Sequence, residues 1–168
     1  MNEFIIQGIG GLGILASVIA FQCKKHNQIL FFRALNEFIF AVQYVLLGAY
    51  TGAAMDLIGV FRNIVFTKRA EKNKSTKPYI IFFSIIFAVF GILTTQGAKS
   101  ILVISAKVLS TVAYGNTNPT TVRIIILITS TCWLIYNIYV FSLAGILCEV
   151  FTILSILTAF IRINLLKK

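Results

Sequence analysis

Charged residues are scarce in this sequence, and their scarcity excludes a soluble globular fold. Only 12% of the 168 residues are charged, whereas about a quarter are charged in soluble domains. Hydrophobic residues make up 58% of the chain, and the mean hydropathy is +0.92. We therefore expect lipid rather than water to surround most of the chain.

Histidine and cysteine are also rare, which argues against metal and catalytic sites. His26 is the only histidine and has no acidic neighbour, so zinc binding and general-base chemistry are not expected. Cys23, Cys132 and Cys148 lack metal-ligand spacing and are interpreted as free thiols. We expect no enzymatic activity, no catalytic residue, no cofactor and no metal.

Acidic residues are outnumbered by basic ones, 5 to 15, which gives a formal net charge of +10. A nucleic-acid site would gather basic residues on one solvated face, but these lie between apolar runs. Nucleic acid is therefore excluded as a partner, and membrane lipids are expected. Glu3 stands where a secretory signal needs positive charge, so the first apolar run is expected to be retained.

Seven apolar windows predict an all-α integral membrane protein with seven transmembrane helices. A spanning helix needs about 20 mostly apolar residues, so seven helices fill nearly the whole chain. The windows are 4–22, 30–50, 53–67, 79–95, 99–115, 121–141 and 143–165. Tight turns are predicted at 50–52 and 142–145, where small and turn-forming residues interrupt long apolar stretches.

The basic residues between the windows predict an external N-terminus and a cytoplasmic C-terminus by the positive-inside rule. In this orientation Lys99 is the only loop cation that faces outward. The cytoplasmic side receives Lys24, Lys25, Arg33, Lys68, Arg69, Lys72, Lys74, Lys77, Arg123, Arg162, Lys167 and Lys168. A six-helix alternative would place basic clusters on both sides.

The first and last thirds of the chain share a pattern that predicts an internal repeat. In each, a glycine precedes an acid by four residues, Gly52 to Asp56 and Gly145 to Glu149. A single helix between two three-helix units gives both units the same orientation. The predicted divisions are 1–67, the linker 68–97 and 98–168. This plan resembles the parallel repeats of the SWEET sugar carriers.

A second resemblance is carried by motifs in the second half and by shorter ones in the first half. The motifs are Ser110-Thr111-x-Ala113, Arg123, Ser130-Thr131-Cys132-Trp133, Tyr136-Asn137, Gly145-x-x-x-Glu149, Gln7-Gly8 and Leu46-Leu47-Gly48. With these the chain resembles the bacterial inner-membrane YgjV family. The resemblance implies a location in the bacterial cytoplasmic membrane and a fold, but no substrate.

Five ionisable residues fall within apolar windows, where they must face protein or water because lipid destabilises a charge. Glu37 and Arg62 are interpreted as a structural ion pair. Lys107 has two interpretations that stay open, a cation of a polar cavity or a member of an ion pair between helices. Asp56 and Glu149 start their helices at similar depths, which permits a pair between Lys107 and Glu149.

Polar and aromatic residues in the same windows are candidates for solute binding. Trp133 and Asn137 are four residues apart and share a helix face, while Gln43 and Tyr44 hold similar positions in the first half. The alternative is an interfacial aromatic residue and hydrogen bonds between helices. Ser110 is a further candidate, although serine in membrane helices often bonds its own backbone.

These observations predict a transporter or facilitator for a small polar solute such as a sugar, nucleoside or vitamin. Its candidate binding residues are Trp133, Asn137, Gln43, Tyr44, Lys107, Ser110, Asp56 and Glu149. The alternative is a non-transporting membrane receptor or interaction protein. Whether the protein is a monomer or a homo-oligomer stays open.

Overall fold

The computed structural model describes residues 2–23, 26–72, 74–115 and 119–166, and these residues form seven α-helices. The helices are α1 (Glu3–Gln22), α2 (His26–Leu46), α3 (Tyr50–Glu71), α4 (Lys77–Leu93), α5 (Ala98–Tyr114), α6 (Pro119–Tyr139) and α7 (Leu143–Leu166). The all-α prediction is confirmed for the described residues, and each window corresponds to one helix. The predicted cytoplasmic residues Lys24, Lys25, Lys167 and Lys168 lie outside them.

Both hairpin turns lie earlier in the chain than predicted. α2 ends before residues 47–49 and α6 before residues 140–142, whereas the turns were expected at 50–52 and 142–145. The small and polar residues chosen from the sequence instead begin the next helices. The ends of α2 and α3 therefore shift most from their predicted positions.

A residue with positive φ fixes the position of each turn. Gly48 has φ 70° and Phe141 has φ 55°. In both turns the backbone N–H of the residue after the one with positive φ donates a hydrogen bond to a carbonyl of the preceding helix, which is the Schellman pattern of helix ends. The bonds run from Ala49 N to Tyr44 O at 2.8 Å and from Ser142 N to Asn137 O at 3.0 Å.

Six of the described helices form a closed ring. Around it α1 packs on α2, α2 on α3, α3 on α5, α5 on α6, α6 on α7, and α7 on α1. α4 packs outside the ring against α3 and α5. Large apolar side chains are exposed on the outer faces, which suits contact with lipid because each helix satisfies its own backbone hydrogen bonds.

Four of the described helices, α1, α2, α6 and α7, are long and apolar enough to cross a membrane. α4 is apolar but shorter. α3 and α5 bury charged residues, Asp56 and Arg62 in α3 and Lys107 in α5, and these lower the hydropathy of both helices. Seven spans therefore stay a prediction, although the fold is that of an apolar helical bundle.

Candidate functional site

Four ionisable side chains from three helices form a buried charge network inside the ring. Lys107 Nζ on α5 lies 2.7 Å from Glu37 Oε1 on α2 and 2.8 Å from Asp56 Oδ1 on α3. Arg62 on α3 donates to the same Oε1 of Glu37 at 2.9 Å. Two cations thus balance two carboxylates, and the predicted pair of Glu37 and Arg62 is part of a larger cluster.

Neutral polar groups complete the network. Arg62 NH1 donates to Ser110 Oγ at 3.2 Å and to Thr111 Oγ1 at 3.1 Å. Asn63 Nδ2 donates to Glu37 Oε2 at 2.9 Å. Ser110 and Thr111 also donate to a carbonyl of the preceding turn of α5, as hydroxyl residues of membrane helices commonly do. These partners matter because a charge without them is unstable in lipid.

The local sequence of α3 allows the network to form at close range. A Cβ at Gly59 would clash with Glu37 Oε2 and would lie 2.9 Å from Lys107 Nζ. Glycine at 59 therefore supplies the space in which the charges meet.

An aromatic ring also contacts the network. The guanidinium of Arg62 lies 4.7 Å from the ring centroid of Tyr114. A cation over an aromatic face is attracted by the ring quadrupole, most strongly where water is excluded.

An aromatic cluster from α2 and α6 lies beside the network. The rings of Tyr44 and Trp133 are stacked with centroids 5.8 Å apart, and Tyr136 lies edge-on to both. Lys107 Nζ is 5.3 Å from the Trp133 centroid, so one ammonium contacts both carboxylates and an aromatic face. Tyr44 donates to Asn137 Oδ1 at 2.7 Å and joins α2 to α6 across the ring.

The charge network and the aromatic cluster share one cavity of about 60 Å³. Because one water needs about 10–15 Å³ of such space, the cavity has room for about four to six waters. Side chains reach it from α2, α3, α5, α6 and α7. Of the predicted binding residues it is lined by Tyr44, Asp56, Lys107, Ser110, Trp133, Asn137 and Glu149. The structure thus brings together most of the residues that the sequence singled out.

Glu149 lies on another wall of this cavity and is not the ion-pair partner of Lys107. The permitted pairing was wrong because α5 neighbours α3 in the ring and does not pack on α7. Among the described residues, the ion pairs of Lys107 are with Asp56 and Glu37. The carboxyl group of Glu149 instead forms a hydrogen bond with Ser130 and interacts electrostatically with Arg33.

Gln43 does not line the cavity, unlike the other predicted binding residues. Its Nε2 donates to Ile6 O at 3.3 Å and to Gln7 Oε1 at 3.1 Å, and its Oε1 accepts from Ser142 Oγ at 3.0 Å. Gln7 donates to Phe141 O at 2.9 Å. This polar cluster joins α1 and α2 to the α6–α7 turn and closes the ring at the end where both hairpin turns lie.

A second contact, between α3 and α6, lies near the same end of the ring. The backbone N–H of Gly52, at the start of α3, donates to the hydroxyl of Tyr136 on α6 at 2.9 Å. Sequence reasoning missed this role of Tyr136, as it missed Asn63 in the charge network. Asn63 could have been found, because it follows Asp56 and Gly59 at helical spacing on one face. No pattern in the sequence indicates the role of Tyr136.

Metal donors are not grouped in the described part of the chain. No three His, Cys, Asp or Glu side chains there are placed to hold a metal ion, and two of the three cavity carboxylates already contact cations. The cavity lining offers charged, amide, hydroxyl and aromatic groups, which can recognise a polar ligand.

Comparisons with known proteins agree with this membrane fold. A family model described as a bacterial inner membrane protein, Imp-YgjV, matches residues 4–167. Comparisons with curated proteins and with solved structures found no match. The family match covers nearly the whole chain and confirms the resemblance carried by the sequence motifs. The chain belongs to the Imp-YgjV family of bacterial inner membrane proteins.

Proposed function

We propose that the protein is a transporter or facilitator for a small polar solute, and that it works by alternating access. The observation that carries this proposal is the cavity inside the ring, lined by charged, amide and aromatic side chains from five helices. Repeat transporters bind their solutes near the bilayer midplane, between the repeats. The lining residues contribute binding, and none is assigned a catalytic role.

In this proposal two parallel three-helix units, α1–α3 and α5–α7, move against each other, and α4 connects them. Support comes from four pairs of similar positions, each with one residue in the first unit and one in the second. The number of residues between the two members is the same in every pair. The pairs are Gly48 and Phe141 with positive φ, Gly52 and Gly145, Asp56 and Glu149, and Tyr44 and Asn137. The units meet where α3 packs on α5 and where α1 packs on α7. This arrangement is SWEET-like.

All seven helices cross the membrane in this proposal, with the N-terminus outside. The buried charges of α3 and α5, Asp56, Arg62 and Lys107, face the interior of the ring, so they do not prevent these helices from contacting lipid on their other faces. The exposed Lys68, Lys72, Lys74 and Lys77 lie where α3 and α4 meet, and the positive-inside rule places that connection in the cytoplasm.

The cavity indicates that the described conformation is closed. Sites for small molecules usually measure about 300–1,000 Å³, well above the 60 Å³ present here. A sugar, nucleoside or vitamin therefore requires the two units to separate. In the opened cavity the Trp133 ring stacks on the solute, and Asn137 exchanges the Tyr44 hydroxyl for a hydroxyl of the solute.

Flux into proteoliposomes tests the proposal. The protein is expected to equilibrate at least one solute from a panel of sugars, nucleosides and vitamins faster than protein-free liposomes do. Trp133→Ala and Asn137→Ala should slow this flux by about tenfold or more, because each removes a direct contact worth at least about 1.4 kcal/mol. Ile135→Ala is the matched control, since Ile135 lies on the same helix and is 40% exposed on its outer face.

Two results would contradict the proposal. Absence of flux across the whole panel would favour a receptor or interaction protein. Equal loss of flux in Ile135→Ala and Trp133→Ala would show that the cavity residues have no special role. Circular dichroism and gel filtration of each purified variant establish that it has folded.

A further inference from the structure

Two carboxylates of the cavity occupy equivalent places in the two halves of the chain. Asp56 on α3 and Glu149 on α7 each follow a glycine by four residues, near the start of a helix that leaves a hairpin turn. Both line the cavity. Since α3 and α7 are three places apart in a ring of six helices, the two carboxylates approach the same space from opposite sides.

The cation beside each of these carboxylates comes from the other half of the chain. Lys107 on α5 lies 2.8 Å from Asp56 on α3. Arg33 on α2 lines the cavity with Glu149 of α7 and interacts electrostatically with it. Both compensating interactions therefore cross the boundary between α1–α3 and α5–α7, which is the boundary that opens in the proposed transport cycle.

Glu37 differs from these two carboxylates because it keeps partners within its own half. Arg62 and Asn63, both on α3, donate to its two oxygens at 2.9 Å each. If the halves separate, Glu37 loses Lys107 but remains paired with Arg62. Asp56 has Lys107 as its ion-pair partner among the described residues, whereas Arg62 on the same helix acts on it without forming an ion pair. Separation therefore leaves the Asp56 carboxylate without its ion-pair partner.

We propose that Asp56 and Glu149 bind and release protons during transport, so that solute movement is coupled to a proton gradient. This inference rests on the transport function proposed above. A carboxylate that has lost its cation in low-dielectric surroundings is stabilised by neutralisation. A proton from water on the side to which the cavity has opened binds a carboxylate oxygen and forms a neutral acid. The proton and the solute move together. When the solute leaves on the other side and the halves close again, the cation returns to the carboxylate and the proton leaves to the water on that side.

Lys107 completes the charge balance. In the opened cavity it remains over the ring of Trp133, which belongs to its own half, and its ammonium is then open to an anionic or polar group of the solute. Each proton that binds one of the two carboxylates leaves one cation open, so in this scheme the solute carries one negative charge for each proton that moves with it. The other charged and titratable groups that surround the two carboxylates are Glu37, Arg62, Tyr44, Tyr136, Arg33 and Cys148.

Proton binding is measured first, with the solute found in the flux panel present, because the closed protein keeps Asp56 beside Lys107. Infrared difference spectra of the reconstituted protein, between neutral and mildly acidic buffer, should show carboxylate converting to carboxylic acid. The chain has only five acidic residues, so variants can assign this signal. Asp56→Asn and Glu149→Gln should each remove part of it, Asp56→Glu should retain it, and Glu71→Gln, which changes an exposed residue at the end of α3, should leave it intact.

Coupling is measured next, with the solute found in the flux panel. Each proton carried with the solute should add about tenfold accumulation for a gradient of one pH unit, so two protons, one on each carboxylate, should sustain about hundredfold accumulation in wild type and in Glu71→Gln. Asp56→Asn and Glu149→Gln should each lower this accumulation by about tenfold or abolish it. If wild-type flux does not depend on the pH gradient, the proposed coupling is wrong but the transport function is not contradicted. Absence of flux under every condition would contradict both. A wild-type infrared spectrum without a protonated carboxyl signal would overturn coupling without reference to any variant.

Discussion

The buried charge network predicts that two substitutions that remove its charges will not have additive effects on the free energy of unfolding. Glu37, Asp56, Arg62 and Lys107 together carry no net charge, and Arg62 has 0% side-chain exposure. Glu37→Leu leaves the network with one excess positive charge, and Arg62→Met leaves it with one excess negative charge. The double variant is neutral again and retains the contact of Lys107 with Asp56.

The magnitudes follow from the energetics of buried ion pairs. Removing one partner of such a pair costs about 3–5 kcal/mol, because the other partner stays buried without compensation, while replacing both by apolar side chains is often nearly neutral. Each single variant should therefore lose about 3–5 kcal/mol of the free energy of unfolding. The double variant should lose no more than about either single one, so the two changes should couple by about 3 kcal/mol or more.

Reversible unfolding of the purified protein in mixed detergent micelles measures these free energies. Glu71→Gln is the control, since Glu71 is exposed and its change should stay within about 0.5 kcal/mol. Losses that add within about 0.5 kcal/mol, as for independent sites, would refute the argument that the four charges act as one network.

Two further predictions concern packing and topology. Gly59→Ala should destabilise the fold by about 1–3 kcal/mol in the same unfolding assay, because its Cβ overpacks Glu37 and Lys107. Gly8→Ala, where a Cβ meets nothing within 4 Å, should be neutral or slightly stabilising. Equal changes in stability for the two variants would contradict the close approach of α3 to Glu37 and Lys107. In a background without native cysteines, Lys74→Cys and Lys99→Cys should react with a membrane-impermeant thiol reagent from opposite sides of the membrane. Reaction from the same side would refute the proposed orientation together with the parallel units.

The helices could be predicted from the sequence, but their turns only in part. Each apolar window must satisfy its own backbone in lipid, so the number of helices follows from the windows. The turn at Gly48 carries a visible signal, since glycine readily adopts positive φ. The turn at Phe141 carries none, because a phenylalanine with φ 55° is held there by its surroundings.

The members of the candidate site could also be predicted better than their contacts. Charges inside apolar windows must face protein or water, and this rule alone selected Glu37, Asp56, Arg62 and Lys107. Which charges meet depends on the order of the helices in the ring, and the sequence contains no direct sign that α3 neighbours α5. The assignment of Gln43 to the cavity was wrong for a similar reason, because its partners lie on α1 and in the α6–α7 turn.

The position of the charge network argues that it serves more than stability. Apolar side chains of similar volume often stabilise a core as well as a buried ion network does, so a bundle that needed only cohesion would gain little from four buried charges. The network lies where α3 meets α5, and it divides unevenly there. Glu37 and Arg62 can remain together on one side, whereas Lys107 and Asp56 are separated by any opening of that boundary. In the proposed transport cycle this interface stays closed until Lys107 and Asp56 are both compensated, which a polar or anionic solute together with a proton would do.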